Sequence, residues 1–374
     1  MNLALSDEQE FLREAARNAL SRHKTVEAAR DALEGGELPD LWPTAVEAGW
    51  PGLLVSEDHG GAGLSAFDAM LVAQECGRVL AAVPLLGLLP ATAILDAAGY
   101  AGIEAVAAGE VRAAWLPARP PGDVAGGWTV EPREGKARAA APRATVEGGA
   151  VTLSGTVACV PDAPGADLLV AVGVTADGEP VAAAVEASAA GVSMEAVRRY
   201  DATRSLGHVA LDAVRGTRLA VSAGQLERAW YLAQALLAAE SLGAVETALE
   251  MAVRYAKERF TFGRPIGSYQ AIKHGLTEVL RRQENARSLL YYAGWAFADK
   301  PDEFAVAASA ARASAGGALD FASRQNIQTH GGIGATWEHD APLYFRRAQL
   351  SRRLLGGAGD AVDRVAGELL GAAA

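Results

Sequence analysis

The 374-residue chain lacks most of the features that would name its chemistry at sight. It has only two cysteines, Cys76 and Cys159. They fit no metal spacing and no disulfide framework, and a reducing cytoplasm is the natural setting. Acidic residues outnumber basic ones, 45 to 34, for a net charge of −11. That leaves no basic footprint for nucleic acid and no long-range pull on an anionic ligand, so an anion site must be local. No apolar run approaches the ~20 residues of a membrane-spanning helix. The first residues, "MNLALSDEQEFLREAARNAL", read as an amphipathic helix of mixed charge rather than a signal peptide. GxxxxGK[ST], HExxH, GxSxG and a strand-borne GxGxxG are all missing. The six histidines, at 23, 59, 208, 274, 330 and 339, show no ligand pairing at helical spacing. Half of the residues are hydrophobic. The expectation is a globular cytoplasmic protein without nucleic acid or membrane insertion.

What is there falls into three textures. Residues 1–112 read as helical: Ser6 can cap a helix carrying Phe11, Leu12, Ala15 and Ala19, and "PDLWPTAVEAG" and "SAFDAMLVAQECGRVLA" continue the pattern around the glycine-rich loop "SEDHGGAGLS". Residues 113–219 carry short runs such as "AVTLSGTVACV", "DLLVAVGV" and "PVAAAVEA" between Gly, Pro and Asp turns, the signature of a small β-barrel or sandwich. From 220 to 374 helical periodicity returns. One run of about thirty residues is broken only by Gly243 and suits a bundle of long helices. The fold expected is mainly α with a central β-domain, ending in a four-helix bundle.

Two segments hold residues that neither texture requires. One is "RFTFGRPIG" at 259–267, where a helix would simply end, followed by Gln270; the other is "QTHGGIGATWEHD" at 328–340. A helix stop and a glycine turn would account for each alone. Together they offer a consistent chemistry. Arg259 presents a planar fork that matches a pyrophosphate, and Phe262 presents a ring on which an adenine can stack. Gln270 and Gln328 can read polar edges, while Gly331 and Gly332 let backbone N–H groups come close.

These two segments, in a helical–β–helical layout, resemble the acyl-CoA dehydrogenases over nearly the whole chain. The resemblance implies FAD, and oxidation of an acyl-CoA thioester to its 2,3-enoyl form. A glutamate takes the α-proton and the flavin takes the β-hydride. It further implies an electron-transfer flavoprotein or similar acceptor, and a homo- or hetero-tetramer in which each subunit clasps the adenine and pyrophosphate of its neighbour's FAD. Arg259, Thr261, Phe262, Gln270, Gln328, Gly331 and Gly332 match that clasp.

Residues that would serve the chain's own flavin do not match. Leu116-Pro117 stands for the family's Thr-Glu, Pro121-Gly122-Asp123 for Gly-Ser-Asp, and Cys159-Val160-Pro161 for Trp-Ile-Thr. The catalytic glutamate is absent from both of its usual places, which hold Leu355-Gly356-Gly357 and Ala233-Gln234. Glu240 lies two turns beyond the latter, about 10 Å along the axis, and is a weak substitute. Glu338 does not occupy a base position. Arg346-Arg347 and Arg352-Arg353 could meet CoA phosphates, a neighbouring subunit or only solvent. The catalytic residue is therefore unassigned. The chain resembles the short, degenerate subunit of heteromeric bacterial acyl-CoA dehydrogenases. The alternatives are a self-sufficient homomer with atypical flavin contacts and a non-redox acyl-CoA-binding or scaffolding descendant.

Overall fold

The computed structural model describes residues 4–117, 129–130, 138–139 and 141–371, with side chains of 129–130 and 138–139 excepted. The Pro121-Gly122-Asp123 stretch therefore lies outside the described residues. Six helices come first: α1 (Asp7–Ser21), α2 (Thr25–Asp31), α3 (Trp42–Glu47), α4 (Ala66–Arg78), α5 (Leu85–Ala97) and α6 (Ile103–Ala107). Ser6 caps α1 reciprocally: its hydroxyl accepts from the Gln9 N–H, and the Gln9 carboxamide accepts from the Ser6 N–H. The buried stripe of α1 is Ala16, Ala19 and Leu20. Phe11 is 73% exposed because it sits one residue, ~100° of helix, off that stripe.

The β-domain contains β1 (Ala113–Leu116), β2 (Thr129–Val130), β3 (Arg138–Ala139), β4 (Arg143–Glu147), β5 (Ala150–Pro161), β6 (Leu168–Val174), β7 (Pro180–Glu186), β8 (Val192–Ala196) and β9 (Leu206–Leu219). β5 pairs with β4 and β9, β9 with β7, β7 with β6, and β6 returns to β4, so the ladder closes on itself. β1 runs parallel to β6 and β8 antiparallel to β9, while β2 and β3 pair with each other. Leu116, Val151, Leu153, Val160, Leu169 and Val209 fill the interior. A barrel this small has room only for side chains.

The C-terminal part consists of α7 (Ala223–Glu258), α8 (Gln270–Asp299), α9 (Pro301–His330), α10 (Ala341–Ser351) and α11 (Gly357–Gly371), with a hairpin of β10 (Phe260–Thr261) and β11 (Arg264–Pro265) between α7 and α8. The expected layout of helices, β-domain and helical bundle is present. Gly243 breaks the pattern of α7 for a packing reason. A Cβ there would stand 1.9 Å from the Gln74 carbonyl oxygen, and one on Gly77 would stand 2.0 Å from that of Glu240. α4 and α7 cross backbone to backbone, which justifies the ~1 kcal/mol that an interior glycine costs a helix. Trp115 and Trp230 meet edge to face at 6.1 Å and join the barrel to the bundle. Such a pair adds about 0.5–1.5 kcal/mol beyond its buried area.

Candidate functional site

Segment 259–267 is a built corner rather than a plain helix stop. Arg259 leaves α7 in an extended conformation, φ −82° and ψ 120°. In the hairpin that follows, Thr261 pairs with Arg264. Phe262 and Gly263 between them have φ of 48° and 77°, the left-handed pair that a two-residue hairpin turn requires. Gly263 adopts this freely. A bulky phenylalanine there costs on the order of 1 kcal/mol. Phe262 recovers none of it within the chain, since its ring is 95% exposed. Tyr269 braces the hairpin: its hydroxyl donates to the Thr261 carbonyl at 3.0 Å, and the Arg264 guanidinium lies 4.3 Å from its ring centre.

α9 ends at His330, where Gly331 turns the chain with φ 66° and ψ −138°, a conformation close to the region reserved for glycine. The His330 and Tyr255 rings stack at 4.4 Å. Tyr255 is one turn before Arg259 and His330 precedes Gly331, so this stack brings the two segments into one corner. Gln325 ties in the third element. Its Nε2 donates to Gln328 Oε1 at 3.3 Å, and its Oε1 would be 2.5 Å from a Cβ on Gly275, in the second turn of α8 after Gln270. Arg259, Phe262, Gln270, Gln328, Gly331 and Gly332 are exposed, and Thr261 is half-buried. A Cβ on Gly332 would meet nothing within 4 Å, and its N–H, unlike that of Gly331, donates to no backbone carbonyl.

The positions marked for a site of the chain's own are closed. Leu355, Gly356 and Gly357 all have left-handed φ, at 50°, 83° and 80°. The Leu355 carbonyl accepts from Gln234 Nε2 at 2.9 Å, and both side chains are buried. Arg312, fully buried on α9, donates to the Ser351 carbonyl and, at 3.5 Å, to that of Leu354. The two places where a base was sought are thus side by side, and neither carries an acid. Leu116 is turned into the barrel core, and Pro161 is buried. Cys159, φ 54°, sits at a register shift of β5 and donates its N–H to His208 Nδ1 at 3.3 Å.

Residues 6–119 match the description "Acyl-CoA dehydrogenase, N-terminal domain", and residues 211–366 match "Acyl-CoA dehydrogenase, C-terminal domain". Acyl-CoA dehydrogenase IpdE2 of Mycolicibacterium smegmatis is 31% identical over 372 residues, 98% of this chain and 100% of that protein. The chain belongs to the acyl-CoA dehydrogenase family. Acyl-CoA dehydrogenase FadE34 of Mycobacterium tuberculosis is 35% identical across 98% of this chain, which covers 48% of that protein. Among solved structures, a variant of the Tcur3481-Tcur3483 steroid ACAD matches with a TM-score of 0.85 at 30% identity, covering 98% of this chain and 99% of that one. The ChsE4-ChsE5 complex from Mycobacterium tuberculosis shares the fold, with a TM-score of 0.85 at 24% identity over 99% of each chain. Acyl-CoA dehydrogenases are FAD-dependent oxidoreductases.

In this member of the family, two readings of charged residues need correction. Glu240 is not free to act as a base. It is buried in a two-point ion pair with Arg204, one contact at 3.1 Å, and ties the loop before β9 to α7. Of the basic pairs, Arg347 faces neither CoA nor solvent: it is 1% exposed, and its Nε donates to Asp201 Oδ2 at 2.6 Å. Burial opposes ionisation of Asp201, but Arg347 and the Thr203 hydroxyl outweigh it and hold the carboxyl below its ordinary value. Arg346 donates to the Tyr200 carbonyl at 3.2 Å, and Arg352 lies 3.6 Å from Asp320.

The same junction holds groups that the sequence reading passed over. Burial pushes Asp162 up to about 7, against the Gly87 N–H that donates to it at 2.8 Å. Burial pushes Arg312 down to about 10, with Arg204 adding to the effect. For Arg312 the available signal was a lone charge inside an alanine-rich helix, "SAARASAG". Among the described residues no group of three or more His, Cys, Asp or Glu could hold a metal, and no helix is long and apolar enough to cross a membrane.

Proposed function

We propose that this chain is the non-catalytic member of a heteromeric acyl-CoA dehydrogenase that desaturates an acyl-CoA thioester between its α and β carbons. It holds the adenine and pyrophosphate of an FAD whose flavin end lies in a complete partner subunit. The observation that carries this reading is a contrast. Gln234 and Leu355, at the two places for a base, bond to each other with no acid between them, while the corner of Arg259, Phe262 and Gly332 stands open. The fit to FAD is one-sided. Leu116 offers no side-chain hydroxyl and is turned into the barrel core, and Pro161 offers neither a hydroxyl nor an N–H for a flavin of the chain's own.

FAD when bound supplies the hydride-accepting chemistry. The residues of this chain only bind and orient: Arg259 would take the pyrophosphate, Phe262 would stack on adenine, and Thr261, Gln270, Gln328 and the Gly332 N–H would read polar edges, while Gly331, whose N–H caps α9 at the Ile327 and Gln328 carbonyls, would serve by turning the chain. Electrons would leave to an electron-transfer flavoprotein or similar acceptor. The paired names of the similar solved structures, Tcur3481-Tcur3483 and ChsE4-ChsE5, support a two-chain assembly, and the steroid in the first supports a steroid side-chain acyl-CoA as its substrate.

The test is Arg259→Ala in the complex co-purified with a complete subunit. Loss of charge-assisted bonds to phosphate should weaken FAD retention about tenfold or more. Unchanged FAD occupancy would overturn the proposal.

A further inference from the structure

A cavity of about 360 Å³ lies between α5, the first turns of α7 and the end of α8. That volume is within the ~300–1,000 Å³ range of small-molecule sites. Its walls are mostly apolar, formed by Leu54, Leu64, Ala93, Ala229, Leu232 and Phe297. One basic group enters it. Arg228 is half-buried, donates Nη2 to the Phe297 carbonyl at 2.7 Å, and lies 3.6 Å from the centre of the Phe297 ring. These contacts fix the guanidinium and leave N–H groups of its fork unused. Burial lowers its pKa, and no carboxylate acts to raise it.

The other polar lining groups each have a partner. Asp96 accepts from the Ser56 N–H at 3.2 Å and the Ser56 hydroxyl at 2.8 Å, and meets His59 Nδ1 at 2.7 Å. The Gln225 carboxamide oxygen accepts from the Ser222 N–H at 2.8 Å. A partly desolvated arginine held against an apolar wall is costly until an anion joins it. Its planar fork fits a carboxylate at two points.

We propose that this cavity binds an amphipathic monocarboxylic acid, with its head on Arg228 and its apolar body between Leu54, Leu64 and Leu232. None of its lining residues belongs to the 259–270 or 328–332 segments, nor to the Gln234–Leu355 contact.

Decanoate, below its aggregation threshold, tests this by calorimetric titration of the purified chain, with decanol as the control that lacks the charge. The expected result is saturable decanoate binding below about 1 mM and about tenfold or more tighter than decanol. Arg228→Gln should reduce decanoate to the decanol level. Ala93→Phe, which fills the cavity from a half-buried wall position, should abolish binding of both while the thermal midpoint stays near that of the unaltered chain. Decanoate binding no tighter than decanol overturns the proposal, as does an affinity unmoved by Arg228→Gln. The decanoate–decanol comparison uses the unaltered chain, so it decides the matter even if a variant fails to fold.

Discussion

The carboxamide of Gln234 and the backbone carbonyl of Leu355 share a 2.9 Å hydrogen bond in a buried setting. A family member working alone needs a carboxylate at one of these two places; here the space is closed by an amide that fastens the turn to α7. Gln234→Glu would set a carboxylate oxygen against a carbonyl oxygen. It should cost about 1–3 kcal/mol in urea unfolding and should not create dehydrogenase activity in the isolated chain.

Phe262 pays for its exposure with strain, so its value must lie outside the chain. Phe262→Gly removes the left-handed penalty of ~1–2 kcal/mol but adds the chain entropy of glycine. Stability of the isolated chain should stay level or rise by up to about 1 kcal/mol, while the co-purified complex loses FAD. Clear destabilisation of the isolated chain would instead mark Phe262 as part of its own core.

Arg204 and Glu240 behave as a buried pair. Glu240→Gln should destabilise by roughly 3–5 kcal/mol, because Arg204 is left without its counter-charge. Arg204→Met combined with Glu240→Leu should recover much of that loss. A glutamate serving as a base would show the reverse: near-normal urea unfolding with activity lost in the complex.

Asp162 sets a pH dependence whose sign follows from its raised pKa. The folded chain binds this proton more tightly than the unfolded chain, whose Asp titrates near ~3.9. Its contribution is therefore fully present below ~4, declines as pH rises, and is gone above about 7. Asp162→Asn keeps an acceptor for the Gly87 N–H and removes the titration. Melting curves should show the variant gaining on the unaltered chain between pH 5 and 8, by on the order of 1–2 kcal/mol.

The corner proposed as a clasp drew attention in the sequence because its residue types carry chemistry. An arginine and a phenylalanine beside a glycine have little purpose at a helix end, and glycines after Gln328 are needed only where a backbone must be approached. The layout was legible from periodicity. The hairpin was not, because β10 and β11 are two residues each and Gly263 with Pro265 also reads as a helix stop. The network of Asp201, Arg204, Glu240 and Arg347 was hidden for another reason. Its members come from distant parts of the chain, and a charge in a sequence is read as solvated until the fold shows it buried.

The central claim is that this chain clasps a cofactor it cannot hold alone, and counting FAD per polypeptide tests it most directly. Visible absorbance should find the chain purified alone to be colourless. Co-expressed with a complete acyl-CoA dehydrogenase subunit, it should carry about one FAD per pair of chains. One FAD per chain in the isolated protein would contradict the account.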